Sequence, residues 1–220
     1  MKIVCCTYRD WAKKIYVNIK KEYVNHKFLM VNSKEELIIE KIINFNPDLI
    51  LWYGWSWIIK NNFLTDYFSV MLHPSPLPKY RGGSPIQNQI INGESESAVT
   101  LFKMDKGIDT GNILYQEEFS LEGDLNDIFD RIIILGTKLT KNLILDFSPN
   151  LKGIKQDNLK SSYYKRRTPS QSEITLRDLE EGTAKKFYNK IRGLQDPYPN
   201  AYIKFKDGSK LYLTKSYYDK

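Results

Sequence analysis

The feature that most constrains this chain is the alternation, over its first half, of short apolar runs with amphipathic segments. Ile3 to Thr7 is a compact apolar run, and Asp10 to Tyr23 then sets Trp11, Ile15, Val17 and Ile19 among lysines at helical spacing. Phe28 to Val31 is strand-like again. Ser33 with Glu36 three residues on spells a helix-opening capping box, and Leu37, Ile38, Ile42 and Ile43 predict the apolar stripe of a helix behind it. Asp48 to Tyr53 and Phe68 to Leu72 are two further apolar runs. Strands alternating with helices predict an α/β fold: a Rossmann-like, open, mainly parallel sheet with helices on both faces.

The second half reads differently. Gly82 to Asn92 predicts a short helix, with Pro85 suited to its first turn. Ala98 to Met104 and Ile113 to Phe119 read as strands joined by a polar loop, an antiparallel addition to the sheet. Leu125 to Phe147 carries the stripe Ile128, Ile132, Ile133, Leu139 and Leu143 of a long helix. Beyond Ser148 the chain turns polar. Asn158 to Gln171 reads as a basic loop, Ala184 to Leu194 as a helix, and Ala201 to Phe205 with Lys210 to Leu213 as a hairpin around Asp207-Gly208. These segments predict a catalytic domain over 1–150 and a small C-terminal region, a helix and a β-hairpin, over 151–220.

Composition bounds the partners. The chain has 220 residues, 41% of them hydrophobic, enough for one packed domain with an appendage. A formal net charge of +7 attracts anions without naming them. The two cysteines, Cys5 and Cys6, are adjacent and inside the first apolar run, so they read as buried free thiols of a reducing cytoplasm. The N-terminus turns polar by Arg9 and does not read as a signal peptide. No apolar stretch approaches membrane-spanning length, so no membrane insertion is expected.

The densest chemistry lies in Leu72-His73-Pro74-Ser75-Pro76-Leu77-Pro78-Lys79-Tyr80-Arg81-Gly82-Gly83-Ser84-Pro85. Alternating prolines after a strand make a rigid, extended loop. His73 falls where strand gives way to loop, and the carboxyl ends of strands are where open α/β sheets bind ligands. A second dense stretch, Met104-Asp105-Lys106-Gly107-Ile108-Asp109-Thr110-Gly111, brings carboxylates to the same kind of sheet edge. Each element has a plain structural reading. A lone histidine is more often structural than catalytic, a proline run can be a docking ligand, and Asp-Thr-Gly can be a turn. Here the prolines recur every second residue, embedded between strand and helix, and the two stretches occur together in order.

Taken together, His73-Pro74-Ser75-Pro76-Leu77-Pro78-Lys79-Tyr80-Arg81-Gly82, then Pro85-Ile86-Gln87, then Asp109-Thr110-Gly111, resemble the folate-dependent formyltransferases. Tyr8-Arg9-Asp10-Trp11-Ala12, Gly54-Trp55-Ser56-Trp57, Tyr163-Tyr164-Lys165-Arg166-Arg167-Thr168-Pro169, Ile191-Arg192 and Asp196-Pro197-Tyr198-Pro199-Asn200-Ala201 look most like the branch acting on nucleotide-linked sugars. The resemblance implies the formyltransferase fold. It also implies 10-formyltetrahydrofolate as donor, no metal, and as acceptor the amine of a nucleoside-diphosphate-linked aminodideoxysugar destined for surface polysaccharide. It makes His73 the proton shuttle and Asp109 its partner, with Asp105 ranked behind. Gly54, Trp55, Ser56, Trp57 and Ile58 would wall the pterin. Tyr8, Arg9, Ser75, Lys79, Tyr80, Arg81 and Arg166 would face the nucleotide sugar.

One position departs from the pattern. The family usually has Asn two residues before the histidine, where its amide polarises the formyl carbonyl; here that residue is Met71, whose thioether donates no hydrogen bond. A backbone N–H, a water or a side chain such as Ser75 would have to substitute. A non-catalytic binder of folate or nucleotide sugar is therefore one alternative. A methionyl-tRNA formyltransferase is another, disfavoured because only about 70 residues follow the expected boundary, little for a tRNA-gripping barrel. No nucleic acid is otherwise expected as partner, and the exposed edge of the C-terminal hairpin suggests a homodimer.

Overall fold

The computed structural model describes residues 1–59 and 61–219. The apolar runs become β1 (Lys2–Cys6), β2 (Lys27–Val31), β3 (Leu49–Tyr53) and β4 (Ser69–His73), followed by the short β5 (Arg81–Gly82) and then β6 (Glu96–Lys103) and β7 (Ile113–Ser120). The main sheet has the order β2-β1-β3-β4-β6-β7. β1 pairs in parallel with β2 and β3, and β3 with β4. β6 runs antiparallel to β4 and to β7, as the polar loop between them predicts.

Side-chain alternation divides the sheet's two faces into two cores. Ile3, Cys5, Leu49, Leu51, Tyr53, Val70 and Leu72 meet α1 (Asp10–Glu22) and α5 (Leu125–Leu145). Val4, Cys6, Ile50 and Trp52 meet Ile42 of α2 (Ile39–Phe45) and Phe63 of α3 (Asn61–Asp66), with Met71 packed against them. The central strands are buried on both faces, which is why they read as near-continuous apolar runs. α5 is opened by Asp124, which takes the amide hydrogens of Asn126 and Asp127 while Asp127 reaches back to the Asp124 amide.

The second helix corrects the sequence expectation. The Ser33 hydroxyl does accept from the Glu36 amide at 3.3 Å, and Glu36 accepts from the Asn32 amide at 3.1 Å. These bonds close only a single turn, because Ile38 is extended (φ −92°, ψ 120°) and the helix starts at Ile39. α4 (Pro85–Ile91) likewise begins at Pro85 and not at Gly82.

The C-terminal residues fold back on the sheet. β8 (Tyr163–Tyr164) pairs in parallel with β5, and Ile154 bridges Ile113. α6 (Leu176–Glu181) is a helix that the apolar pattern did not reveal; α7 (Ala184–Gly193) packs on α4. β9 (Ala201–Lys204) and β10 (Lys210–Leu213) form the expected antiparallel hairpin. Among the described residues no helix is long and apolar enough to cross a membrane.

Candidate active site

A cleft of about 850 Å³ opens at the carboxyl ends of β3 and β4. Its wall includes Gly54, Trp55, Ser56, Trp57 and Ile58 after β3, Met71 and His73 of β4, Asp109 of the loop between β6 and β7, and Arg9, Arg166 and Arg167. The size lies within the usual range of small-molecule pockets, about 300–1,000 Å³.

His73 and Asp109 meet there. His73 Nδ1 lies 3.6 Å from Asp109 Oδ2, and the two side chains are 6% and 10% exposed, so both are largely out of water. The other ring nitrogen, Nε2, is 2.8 Å from the Tyr80 carbonyl oxygen. A carbonyl only accepts, so Nε2 carries a hydrogen and Nδ1 is the position that gains or loses a proton beside the carboxylate. Asp109 Oδ2 also accepts from the Gly82 amide at 2.8 Å. Asp109 sits in left-handed backbone at φ 53°, an uncommon state for a residue with a side chain, and it turns the carboxylate back toward His73. Asp105 is committed elsewhere: its carboxylate accepts from the Gly107 amide and the Thr110 hydroxyl, closing its own loop.

Two glycines make this convergence sterically possible. Gly82 has φ 93°, and a Cβ there would lie 2.3 Å from the Tyr164 carbonyl oxygen. At Gly111 a Cβ would lie 1.8 Å from the Lys103 carbonyl oxygen, so only glycine lets the Asp109 loop close on its strand.

The aromatic wall is a cluster of edge-on and tilted rings. Trp55 meets Trp57 edge-on at 4.8 Å, and Tyr8 lies 4.7 Å from Trp57 with its hydroxyl 2.7 Å from the Ser56 hydroxyl. Trp55 Nε1 is buried without an acceptor among the described residues. Tyr8 itself stands behind the wall. It supports Arg9, whose guanidinium lies 4.8 Å from the Tyr8 ring and 5.5 Å from that of Tyr198. Burial pushes the Tyr198 phenol up despite Arg9 nearby, and burial lowers the Arg167 guanidinium. None of Arg9, Arg166 and Arg167 forms an ion pair with a carboxylate among the described residues.

Five residues expected to face the nucleotide sugar do not line the cleft: Tyr8, behind the aromatic wall, and four residues of the proline-rich loop. Ser75 is fully buried and donates its hydroxyl to the Lys79 carbonyl at 2.9 Å, so it cannot stand in for the missing amide beside Met71. Lys79 is exposed on the outside of the loop. Tyr80 donates to Glu94 at 2.7 Å and stacks on Tyr164 at 4.8 Å. Arg81 is buried and gives its hydrogens to Gln156 and Asn158. The loop motif thus serves to build the site. Sequence reasoning left out Gln156, which has no motif around it, and Tyr198, which was quoted within a motif but given no role.

An open, mainly parallel sheet carrying a His–Asp pair and an arginine-rich wall at its carboxyl edge defines an α/β protein suited to proton-assisted chemistry on an anionic ligand. Known proteins sharpen that class. The formyl transferase family model matches residues 4–132. A methionyl-tRNA formyltransferase from Finegoldia magna is 30% identical over 181 residues, 80% of this chain and 57% of that protein. Among solved structures, a methionyl-tRNA formyltransferase from Clostridium thermocellum matches with a TM-score of 0.83 and 30% identity, covering 96% of each chain. A sugar N-formyltransferase from a Shewanella species matches with a TM-score of 0.78, covering 98% of this chain and 97% of the other; at 20% identity that likeness shows the fold alone. This chain belongs to the formyl transferase family. It spans little more than half the length of the curated relatives it matches.

Proposed function

We propose that the protein transfers the formyl group of 10-formyltetrahydrofolate to the amine of a nucleoside-diphosphate-linked aminodideoxysugar. The observation that carries this reading is that Arg9, Arg166 and Arg167, unpaired with any carboxylate among the described residues, line the same cleft as the His73–Asp109 pair. Guanidinium groups match diphosphate oxygens in charge and geometry. An amine held by its diphosphate at that wall would reach the pair. The aromatic wall of Trp55 and Trp57 offers flat apolar surface for a pterin ring.

In this reading the neutral amine attacks the formyl carbon, a new N–C bond forms, and the bond from that carbon to the folate nitrogen breaks. One proton leaves the amine and one arrives on the departing folate nitrogen. His73 Nδ1, beside the Asp109 carboxylate, is the group placed to carry it, assistance worth about 10²–10⁴ in rate. Met71 lines the cleft without offering a hydrogen to the developing oxyanion. A homodimer through the C-terminal hairpin accompanies the proposal, supported by the half-exposed Leu211 and Tyr212 on β10.

The 30% identity to methionyl-tRNA formyltransferases favours a second reading, in which the arginines meet phosphates of charged initiator tRNA. Release of tetrahydrofolate, followed with a panel of nucleotide-linked aminosugars and with charged initiator tRNA, separates them. Turnover with tRNA and with no sugar would overturn the proposal.

A further inference from the structure

We propose that Gln156 is a positioning residue for the transfer reaction, holding the Asp109 carboxylate on His73 by tying the loop that carries Asp109 to the proline-rich loop that follows His73. The inference rests on the role proposed above for that pair.

Gln156 is 5% exposed and belongs to the segment that crosses back over the sheet after α5. A primary amide has two hydrogens and one carbonyl oxygen with two lone pairs. All four capacities are used. Nε2 donates to the Asp109 carbonyl at 2.9 Å and to the Gly111 carbonyl at 2.7 Å. Oε1 accepts from Arg81 Nε at 3.1 Å and Arg81 Nη2 at 2.8 Å. Gln156 therefore grips the Asp109 loop with one half of its amide and the proline-rich loop with the other.

Arg81 is flanked by the two backbone groups that hold the pair. The carbonyl before it, Tyr80, takes the His73 Nε2 hydrogen, and the amide after it, Gly82, gives its hydrogen to Asp109 Oδ2. The bonds close a ring: Asp109 carbonyl, Gln156 amide, Arg81 side chain, Gly82 amide, Asp109 carboxylate. Asp109 is held at both its backbone and its side chain, which is what a residue at φ 53° needs to stay oriented. Arg81 is itself a buried cation whose side chain meets Gln156 and Asn158 and, among the described residues, no carboxylate, so the amide oxygen also spares it an unsatisfied burial.

Gln156→Glu separates the two halves. A carboxylate still accepts from Arg81 but offers no hydrogens to Asp109 and Gly111 and repels their carbonyls. The paired change Arg81→Met with Gln156→Met removes the buried cation together with its amide acceptor, so no charge is orphaned, while the Asp109 and Gly111 carbonyls still lose their donor. The chain has two histidines, so ring ¹⁵N spectra of labelled protein resolve His73 against His26 without any substrate. Both variants are expected to melt cooperatively and to shift the His73 ring nitrogens while leaving those of His26 in place. With the substrates on which the wild type turns over, kcat should fall about tenfold or more, with KM for the formyl donor changed less than about twofold. Unchanged His73 nitrogen shifts in either folded variant would overturn the positioning role. If the wild type turns over none of the proposed acceptors, the functional reading fails, and the spectra still decide the role of Gln156.

Discussion

Asp109 directs one carboxylate oxygen, Oδ2, at two targets: Nδ1 of His73 at 3.6 Å and the Gly82 amide at 2.8 Å. The amide bond fixes the carboxylate on the imidazole without consuming the imidazole's own hydrogens. His73→Ala and Asp109→Ala are each expected to lower kcat by about 10²–10⁴ while the protein stays folded. Asp109→Asn keeps the size of the side chain and removes the charge, and should lose nearly as much. Tetrahydrofolate release measured alongside circular dichroism checks all three; near-normal kcat in either alanine variant would remove the pair from the mechanism.

Met71 gives the opposite kind of prediction, a gain. It sits beside Trp52 and Phe102 in the sheet and two residues before His73, on the same face. Ser75 is excluded as a substitute donor because its hydroxyl is committed to Lys79. Met71→Asn would return an amide to the cleft, where one oxyanion donor is worth about 10²–10³ in rate when nothing replaces it. We expect kcat to rise by about tenfold or more, with a slightly lower melting temperature from the lost apolar contact. An unchanged kcat would mean that a backbone amide already does the work.

These two sites show what the sequence could and could not convey. The strands were legible because β1, β3 and β4 are buried on both faces, and His73 was legible because it ends one of them. The start of α2 was not, because the Ser33 and Glu36 bonds that mark a helix cap can also close one isolated turn. Nor was α6, whose Leu176 and Leu179 are exposed and leave no buried stripe; the signal present was its Thr175–Asp178 capping box. The pairing of β5 with β8 and the four bonds of Gln156 depend on polar residues from distant segments meeting in space, and no periodicity encodes that.

Arg9 tests the anionic acceptor. Held against Tyr8 and Tyr198, it is already ordered before any ligand arrives. Arg9→Ala and Arg166→Ala should each raise KM for a nucleotide-linked acceptor by about tenfold or more, the worth of a charge-assisted contact, with smaller effects on kcat. Added salt should weaken acceptor binding in the wild type more than in the variants. Steady-state kinetics at two ionic strengths would show this, and equal KM values would detach the arginines from the acceptor.

Alkaline stability follows from several protons held by buried thiols and phenols, of which Cys5 and Tyr115 are two. Burial pushes the Cys5 thiol from its ordinary 9.0 up to about 12, and burial with the Asp146 carboxylate beside it pushes the Tyr115 phenol from 10.0 up to about 12. Above each ordinary value the unfolded chain has lost the proton that the folded chain keeps. The unfolded state then binds fewer protons, so stability falls as pH rises. These groups contribute no pH dependence below about pH 8 and a steady loss from about pH 9 to pH 12. Urea unfolding at stepped pH would reveal it, and Cys5→Ala should flatten the lower part of that decline.

The last prediction concerns the boundary near residue 150. Past that point Ser162 accepts from the Arg81 amide at 2.9 Å and its hydroxyl accepts from the Tyr80 amide at 2.9 Å, and the Tyr164 carbonyl accepts from the Gly83 amide at 2.8 Å. Tyr164 also stacks on Tyr80, and Arg192 of α7 donates to the carbonyls of Leu121 and Gly123. A chain ending at 150 would leave buried Arg81 without its amide acceptors, and each orphaned buried group costs about 1–3 kcal/mol, more for a charge. Against a typical total stability of about 5–15 kcal/mol, a few such losses are decisive. We expect residues 1–150 alone to melt over a broad range and to lose amide-exchange protection at Tyr80, Arg81 and Gly83, although the parallel strands keep theirs. Sharp melting with those three amides protected would mean that the boundary separates two units able to fold independently, and that the C-terminal segment only borders the cleft.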